Sequence, residues 1–171
     1  SLRYLLSMHG LEVFHAKRIP THGGSIRVYA ARVGTRRIEP TVAEILEQES
    51  DDMMLGRIQR FREGLVAAKL QLYSLLATIN EKGQRVYGIG APSRASTLIN
   101  YIGLDDGIVD CVLEIKGSYK IGKYMPGTLI PVVEESRLFD DQPAYALLLS
   151  WHIADELIGK LRDRGFRGDF I

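Results

Sequence analysis

Between Pro40 and Lys82 apolar residues recur at helical spacing: Ile45, Leu55, Ile58, Phe61, Leu65, Ala68, Leu72, Leu75, Leu76 and Ile79. One face of an α-helix has that period. Within "PTVAEILEQE", Thr41 is placed as an N-cap with Glu44 three residues on, a capping-box pattern. "ESDDMMLG" marks a break, so the pattern predicts a short helix and then a long one. Upstream, "SLRYLLSMHG" reads as the last turns of an amphipathic helix stopped by Gly10. "LEVFHAKRI" then alternates as a strand, "PTHGG" is turn chemistry, and "SIRVYAARV" is a second strand with Ile26, Val28 and Ala30 on one face.

From Gln84 onward the period changes. "RVYGIGA", "GIVDCVLEI", "LIPVV", "AYALLLSW" and a terminal "DFI" predict strands, with helical signals in "SRASTLINYIG", "EESRLF" and "IADELIGKLRDRG". Strands alternating with helices predict an α/β unit, a Rossmann-like parallel sheet with flanking helices. The chain therefore divides into a helix-strand-strand piece at 1–34, a helical linker arm at 35–83 and the Rossmann-like part at 84–171, with the arm expected to pack on the first piece.

Composition narrows the function classes. The 171 residues are 46% apolar and 25% charged, with 22 Lys+Arg against 21 Asp+Glu. Such a balance supplies no global field to recruit nucleic acid or a membrane surface. The single cysteine, Cys111, excludes an internal disulfide and a cysteine-based metal cluster, and "IVDCVLEI" casts it as a buried small hydrophobe. The longest apolar runs are too short to cross a bilayer, and the first residues lack signal-peptide organisation. A cytoplasmic protein with no metal in these residues is expected.

Three stretches carry candidate chemistry. In "VYGIGAPSRAST", Gly88 and Gly90 stand where a strand hands over to a helix, where backbone N–H groups and the helix dipole attract phosphate. The third glycine of a dinucleotide fingerprint is missing, because Arg94 ends "GIGAPSR"; Glu114 is the candidate acidic residue after the second strand. A tight turn and a ligand site are equally good readings of that stretch alone. The loop "KGSYKIGKYMPGT" brings Lys116, Lys120 and Lys123 together with three glycines at the same sheet edge. It suits a diphosphate or an array of sugar hydroxyls, or is a solvated basic loop. In "THGGSIR", His22 is a candidate general base with Arg27 nearby. His9 and His15 have no supporting context, and Trp151 in "LLLSWHIADEL" reads first as a packing residue.

Taken in order, "THGGSIRVYA", "VYGIGAPSRASTLINY", "KIGKYMPGT" and "LLLSWHIADEL" resemble the C-terminal part of the sugar C-methyltransferases, over nearly the whole chain. Members of that family methylate the ring carbon beside the ketone of a nucleotide-linked 4-keto-deoxysugar. The resemblance implies that residues 1–34 are the ending of a class I methyltransferase domain. S-adenosylmethionine would be bound by a domain outside this chain, and zinc by a missing N-terminal segment, so that this piece alone is inactive. It further implies that His22 is the base that creates the carbanion which attacks the sulfonium methyl. Gly88, Gly90, Ala91 and Pro92 would line the diphosphate or sugar of a nucleotide-sugar substrate. Arg94, Lys120 and Arg27 would offer cations, Tyr124 a hydroxyl or stacking face, and Glu114 an acceptor. Arg94 stands where the family often has lysine, Glu114 where aspartate is common and His152 where asparagine is frequent. The alternative reading is a non-catalytic nucleotide-binding or interdomain module, with a homodimer held by the long helix.

Overall fold

The computed structural model describes residues 1–21 and 24–171, with backbone alone at 51–53. Two compact units emerge, residues 1–64 and 65–171, and their boundary falls inside one long helix. The first unit holds α1 (Leu2–Ser7), β1 (Leu11–Ile19), β2 (Ser25–Arg32) and α2 (Pro40–Gln48). β1 and β2 form an antiparallel ribbon whose register shifts between Val13 and His15. Residues three apart on a regular strand face opposite sides, but the bulge reverses that parity. Val13 and Ala16 therefore both line one apolar cavity of about 220 Å³ with Ile26 and Val28 of β2 and Val42 and Ile45 of α2.

The predicted capping box does not form. Glu39 is the N-cap of α2, Pro40 takes the first turn, and no side chain caps the helix. Thr41 instead turns its hydroxyl to His15 Nδ1 at 3.1 Å, and Glu39 Oε2 lies 2.7 Å from the same nitrogen. Proline fits the first helical position because it has no N–H to leave unbonded, and its presence displaces the cap by two residues. His15, which has no partner in sequence, ties β1 to α2.

α3 runs Asp51–Glu81 after the predicted break. Its last turn ends at Gly83 in the left-handed region (φ +66°), with the Gly83 N–H donating to the Asn80 carbonyl at 2.8 Å. Leu76 and Ile79 are buried, whereas Leu55, Ile58 and Phe61 are exposed, Phe61 to 67%. The first half of α3 thus does not pack as the periodicity predicts; its stripe has the helical period without a buried face.

The second unit is a three-layer α/β structure. Its sheet comprises β3 (Val86–Ile89), β4 (Cys111–Glu114), β5 (Val132–Glu134), β6 (Tyr145–Leu148) and β7 (Asp169–Phe170) in the order β5-β4-β3-β6-β7, with every neighbouring pair parallel. Strand alternation sorts the core. Val86, Val112, Leu147 and Leu149 pack on one face with Leu76 and Ile79 of α3 and with Ala95 and Ile99 of α4 (Ser93–Ile102). Tyr87, Ile89, Cys111, Leu113 and Leu148 pack on the other with Leu138 of α5 (Ser136–Asp141) and Leu161 of α6 (Ala154–Asp163). This is a Rossmann-like fold. Among the described residues, no helix is long and apolar enough to cross a membrane.

Gly88 sits inside this packing. A Cβ there would lie 2.8 Å from Leu149 Cδ1 and 2.9 Å from Val112 Cγ2. Buried in β3, it makes room for the core.

Candidate functional site

The carboxyl ends of β3 and β4 are tied together at Gly90. Its φ of +80° is a left-handed conformation that favours glycine, and its N–H donates to the Leu113 carbonyl at 2.9 Å. The next residue is closed on both sides. Ala91 N–H donates to Glu114 Oε1 at 2.8 Å, and the Lys120 ammonium donates to the Ala91 carbonyl at 2.7 Å and to Glu114 Oε1 at 3.2 Å. Three of the predicted residues are therefore brought together, but they face one another. The Glu114 side chain is only 13% exposed. Both bonds fall on Oε1, so that oxygen is committed to the turn. Ala91 N–H is occupied within the turn, while the residue itself lines the neighbouring cavity.

Beyond that knot the edge opens. Pro92 is the N-cap of α4, and no side chain bonds the first-turn amides. Ser93 and Ser96 project from that turn into a cavity of about 270 Å³, facing Tyr119, Lys120, Lys123 and Tyr124. Lys123 Nζ lies 5.0 Å from the centre of the Tyr119 ring, and Tyr124 is 60% exposed. The loop carrying these residues is anchored at both ends. Gly122 N–H donates to the Val132 carbonyl and Val132 N–H to that of Lys123. At the far end Asn100 Nδ2 donates to the Pro126 carbonyl at 2.8 Å. "KGSYKIGKYMPGT" is thus a built wall rather than a loose basic loop. It presents ammonium and hydroxyl groups beside an uncapped helix N-terminus, a combination that suits an anion bearing hydroxyls.

Arg94 points elsewhere along the edge. Its guanidinium carbon lies 5.9 Å from the centre of the Trp151 ring. Trp151 is 45% exposed, so it does not seal the core as its sequence context suggests. The reason is its position in the short 3-10 turn Trp151–Ile153, past Leu149, the core residue that follows β6. Arg27 stands on β2 opposite Lys17 in the first unit, where it hydrogen-bonds Tyr29 and draws that phenol below its usual range. His22 lies outside the described residues.

A second polar group surrounds the start of β3. The Tyr87 hydroxyl donates to Asp141 Oδ2, Arg137 Nε donates to the same oxygen at 2.9 Å, and Arg85 donates to the Tyr87 hydroxyl at 2.9 Å. Burial, then the bond to Asp141, pushes the Tyr87 phenol up to about 12. The hydrogen bonds from Tyr87 and then Arg137 hold the Asp141 carboxyl below its ordinary range. Cys111, buried beside them, is pushed up to about 12 by desolvation and so stays a thiol. Each charge here is answered by a neighbour, the mark of a structural cluster. Among the described residues no three His, Cys, Asp or Glu side chains are grouped to hold a metal ion.

Residues 20–171 match the C-methyltransferase C-terminal domain. The chain belongs to that family. It is 33% identical over 161 residues to C-methyltransferase NovU of Streptomyces niveus, across 92% of this chain and 38% of that protein. This C-methyltransferase C-terminal domain thus spans well under half the length of that relative. Sequence reasoning passed over Ser93, Ser96 and Tyr119 of the domain's cavity. The two serines were discoverable, since positions three apart in the first turn of a helix share a face. Tyr119 depends on how the loop folds back, which no local pattern specifies.

Proposed function

We propose that this chain is the nucleotide-sugar-binding part of a methyltransferase acting on the ring carbon beside the ketone of an NDP-4-keto-deoxysugar. The observation that carries this reading is the cavity at the carboxyl edge of the sheet, with Ser93 and Ser96 on one wall and Lys123, Tyr119 and Tyr124 on the other. Ligands of open parallel sheets lie at that edge. Lys123 and the first turn of α4 would hold the diphosphate, and the serine and tyrosine hydroxyls the sugar. Glu114 and Lys120 hold the Ala91 turn in place, and Lys120 also lines the cavity.

S-adenosylmethionine would supply an electrophilic methyl group. The Gly90 turn does not suit it, because both backbone groups of Ala91 are bonded and Glu114 is turned inward. The donor, and any zinc, is assigned to residues outside this chain. Removing a proton beside a ketone needs a nearby base and stabilisation of the enolate oxygen. His22 is the proposed base, on the strength of the family resemblance of "THGGS".

The test has two parts. Calorimetric titration of this chain with a dTDP-4-keto-deoxysugar should give saturable heat; none at millimolar ligand overturns the binding assignment. In the intact enzyme, His22→Asn should abolish methyl transfer while leaving nucleotide affinity unchanged. Retained turnover removes His22 from the role of base.

A further inference from the structure

The strand order draws attention to a different part of the same edge. From β3 the chain winds outward to β4 and β5, then returns to β6 on the other side of β3. The winding reverses between β3 and β6, and the crevice outside such a reversal is where open parallel sheets take their ligands. Two loops border it: Gly90 to Arg94 after β3, and Ser150 to Ile153 after β6. They come close at Gly90, where an added Cβ would lie 2.5 Å from Ser150 Oγ. They meet again where Arg94 lies over Trp151. Trp151 belongs to neither core cluster and keeps 45% of its surface exposed. An indole left half in water at a ligand crevice, with a planar cation against it, is an unfilled stacking surface.

We propose that Trp151 and Arg94 form the nucleobase subsite of the bound nucleotide-sugar, a deepening that rests on the nucleotide-sugar reading above. A base is flat and stacks on indole or guanidinium planes, and its ring carbonyls accept from guanidinium N–H donors. The cavity around Ser93, Ser96 and Lys123 sets hydroxyls and the ammonium groups of Lys120 and Lys123 against apolar walls from Met125, Pro126 and Val132, which suits diphosphate and sugar. The first turn of α4 separates the two, with Ser93 lining the cavity and Arg94 on the indole. A nucleotide-sugar would lie across that turn, its diphosphate against the uncapped helix end and its base on Trp151. Trp151 thereby becomes the residue that requires a nucleotide rather than a simple sugar phosphate.

Trp151 is the single tryptophan of the chain, so its fluorescence reports from the subsite directly. dTDP, pyrophosphate and hexose 1-phosphate are titrated into the chain by fluorescence and by calorimetry. dTDP should change the tryptophan emission, and the other two should bind without doing so. Trp151→Ala should raise the dTDP Kd about tenfold, the scale of one base–aromatic stack, and leave the pyrophosphate Kd unchanged. Trp151→Phe should keep dTDP affinity within about threefold, since a smaller aromatic face remains. If Trp151→Ala does not fold, the ligand selectivity of the fluorescence change and the Phe variant decide the matter. Heat from dTDP with no change in emission, or unchanged dTDP affinity in Trp151→Ala, overturns the subsite and leaves the nucleotide-sugar reading standing. No heat from dTDP at millimolar concentration overturns that reading and the subsite with it.

Discussion

Glu114 shows how a single side chain changes meaning between sequence and structure. After a parallel strand, a carboxylate reads as a ligand acceptor; in the fold it accepts from Ala91 N–H and Lys120. Removing it leaves a part-buried amide without its acceptor and the Lys120 ammonium with only the Ala91 carbonyl. Glu114→Ala should therefore lower unfolding free energy by about 2 kcal/mol, the range for hydrogen bonds to charged groups, measured by urea denaturation. Tyr87 makes a pH-dependent counterpart. Its folded phenol sits at about 12 against an ordinary 10, so the neutral form is the one folding favours. That contribution is whole below pH 10 and is lost as pH rises from 10 to about 12. The stability difference between the unaltered chain and Tyr87→Phe should shrink across that window, as read from denaturation midpoints. Asp141, held low by Tyr87 and Arg137, acts in the opposite direction: its contribution is present above the ordinary carboxylate range and is lost as pH falls through its lowered value.

At the scale of elements, the turn from β3 into α4 depends on two glycines for different reasons. Gly88 lacks a side chain so that Leu149 and Val112 can pack, and Gly90 so that the chain can turn left-handed past Ser150. Gly90→Ala should cost about 2 kcal/mol or more, combining the left-handed penalty of about 1–2 kcal/mol with the collision against Ser150 Oγ. Adding Ser150→Gly should recover the collision part and not the backbone part, giving a non-additive cycle in chemical denaturation. Full additivity would mean that the two loops do not touch. Helices and strands were legible throughout this region, because strands buried on both faces of a sheet read as short continuous apolar runs, distinct from the helical period. The cap of α2 was not legible: Thr41 has the right chemistry, but Pro40 before it moves the first turn and His15 claims the hydroxyl.

Over the whole molecule, burial is uneven. The sheet strands β3, β4 and β6 are almost fully buried, while Leu55, Ile58 and Phe61 of α3 are exposed. Local opening follows buried contacts. Hydrogen exchange should be slowest at amides of these three strands and faster at residues 55–63 than at 76–80, where Leu76 and Ile79 join the core. Equal protection along α3 would show that its apolar stripe is covered in solution. The alternation of strands with helices, the apolar arm, the buried cysteine and the family itself were all determined by the sequence, since each rests on local periodicity or on ordered motifs. Only the tertiary structure decided which candidates meet. It turned Glu114 and Lys120 toward each other, put Gly88 in the core, and placed Arg94 over an exposed Trp151 where the winding of the sheet reverses. Those outcomes depend on which strands become neighbours, and strand order is set by the packing of the whole domain rather than by any segment of it.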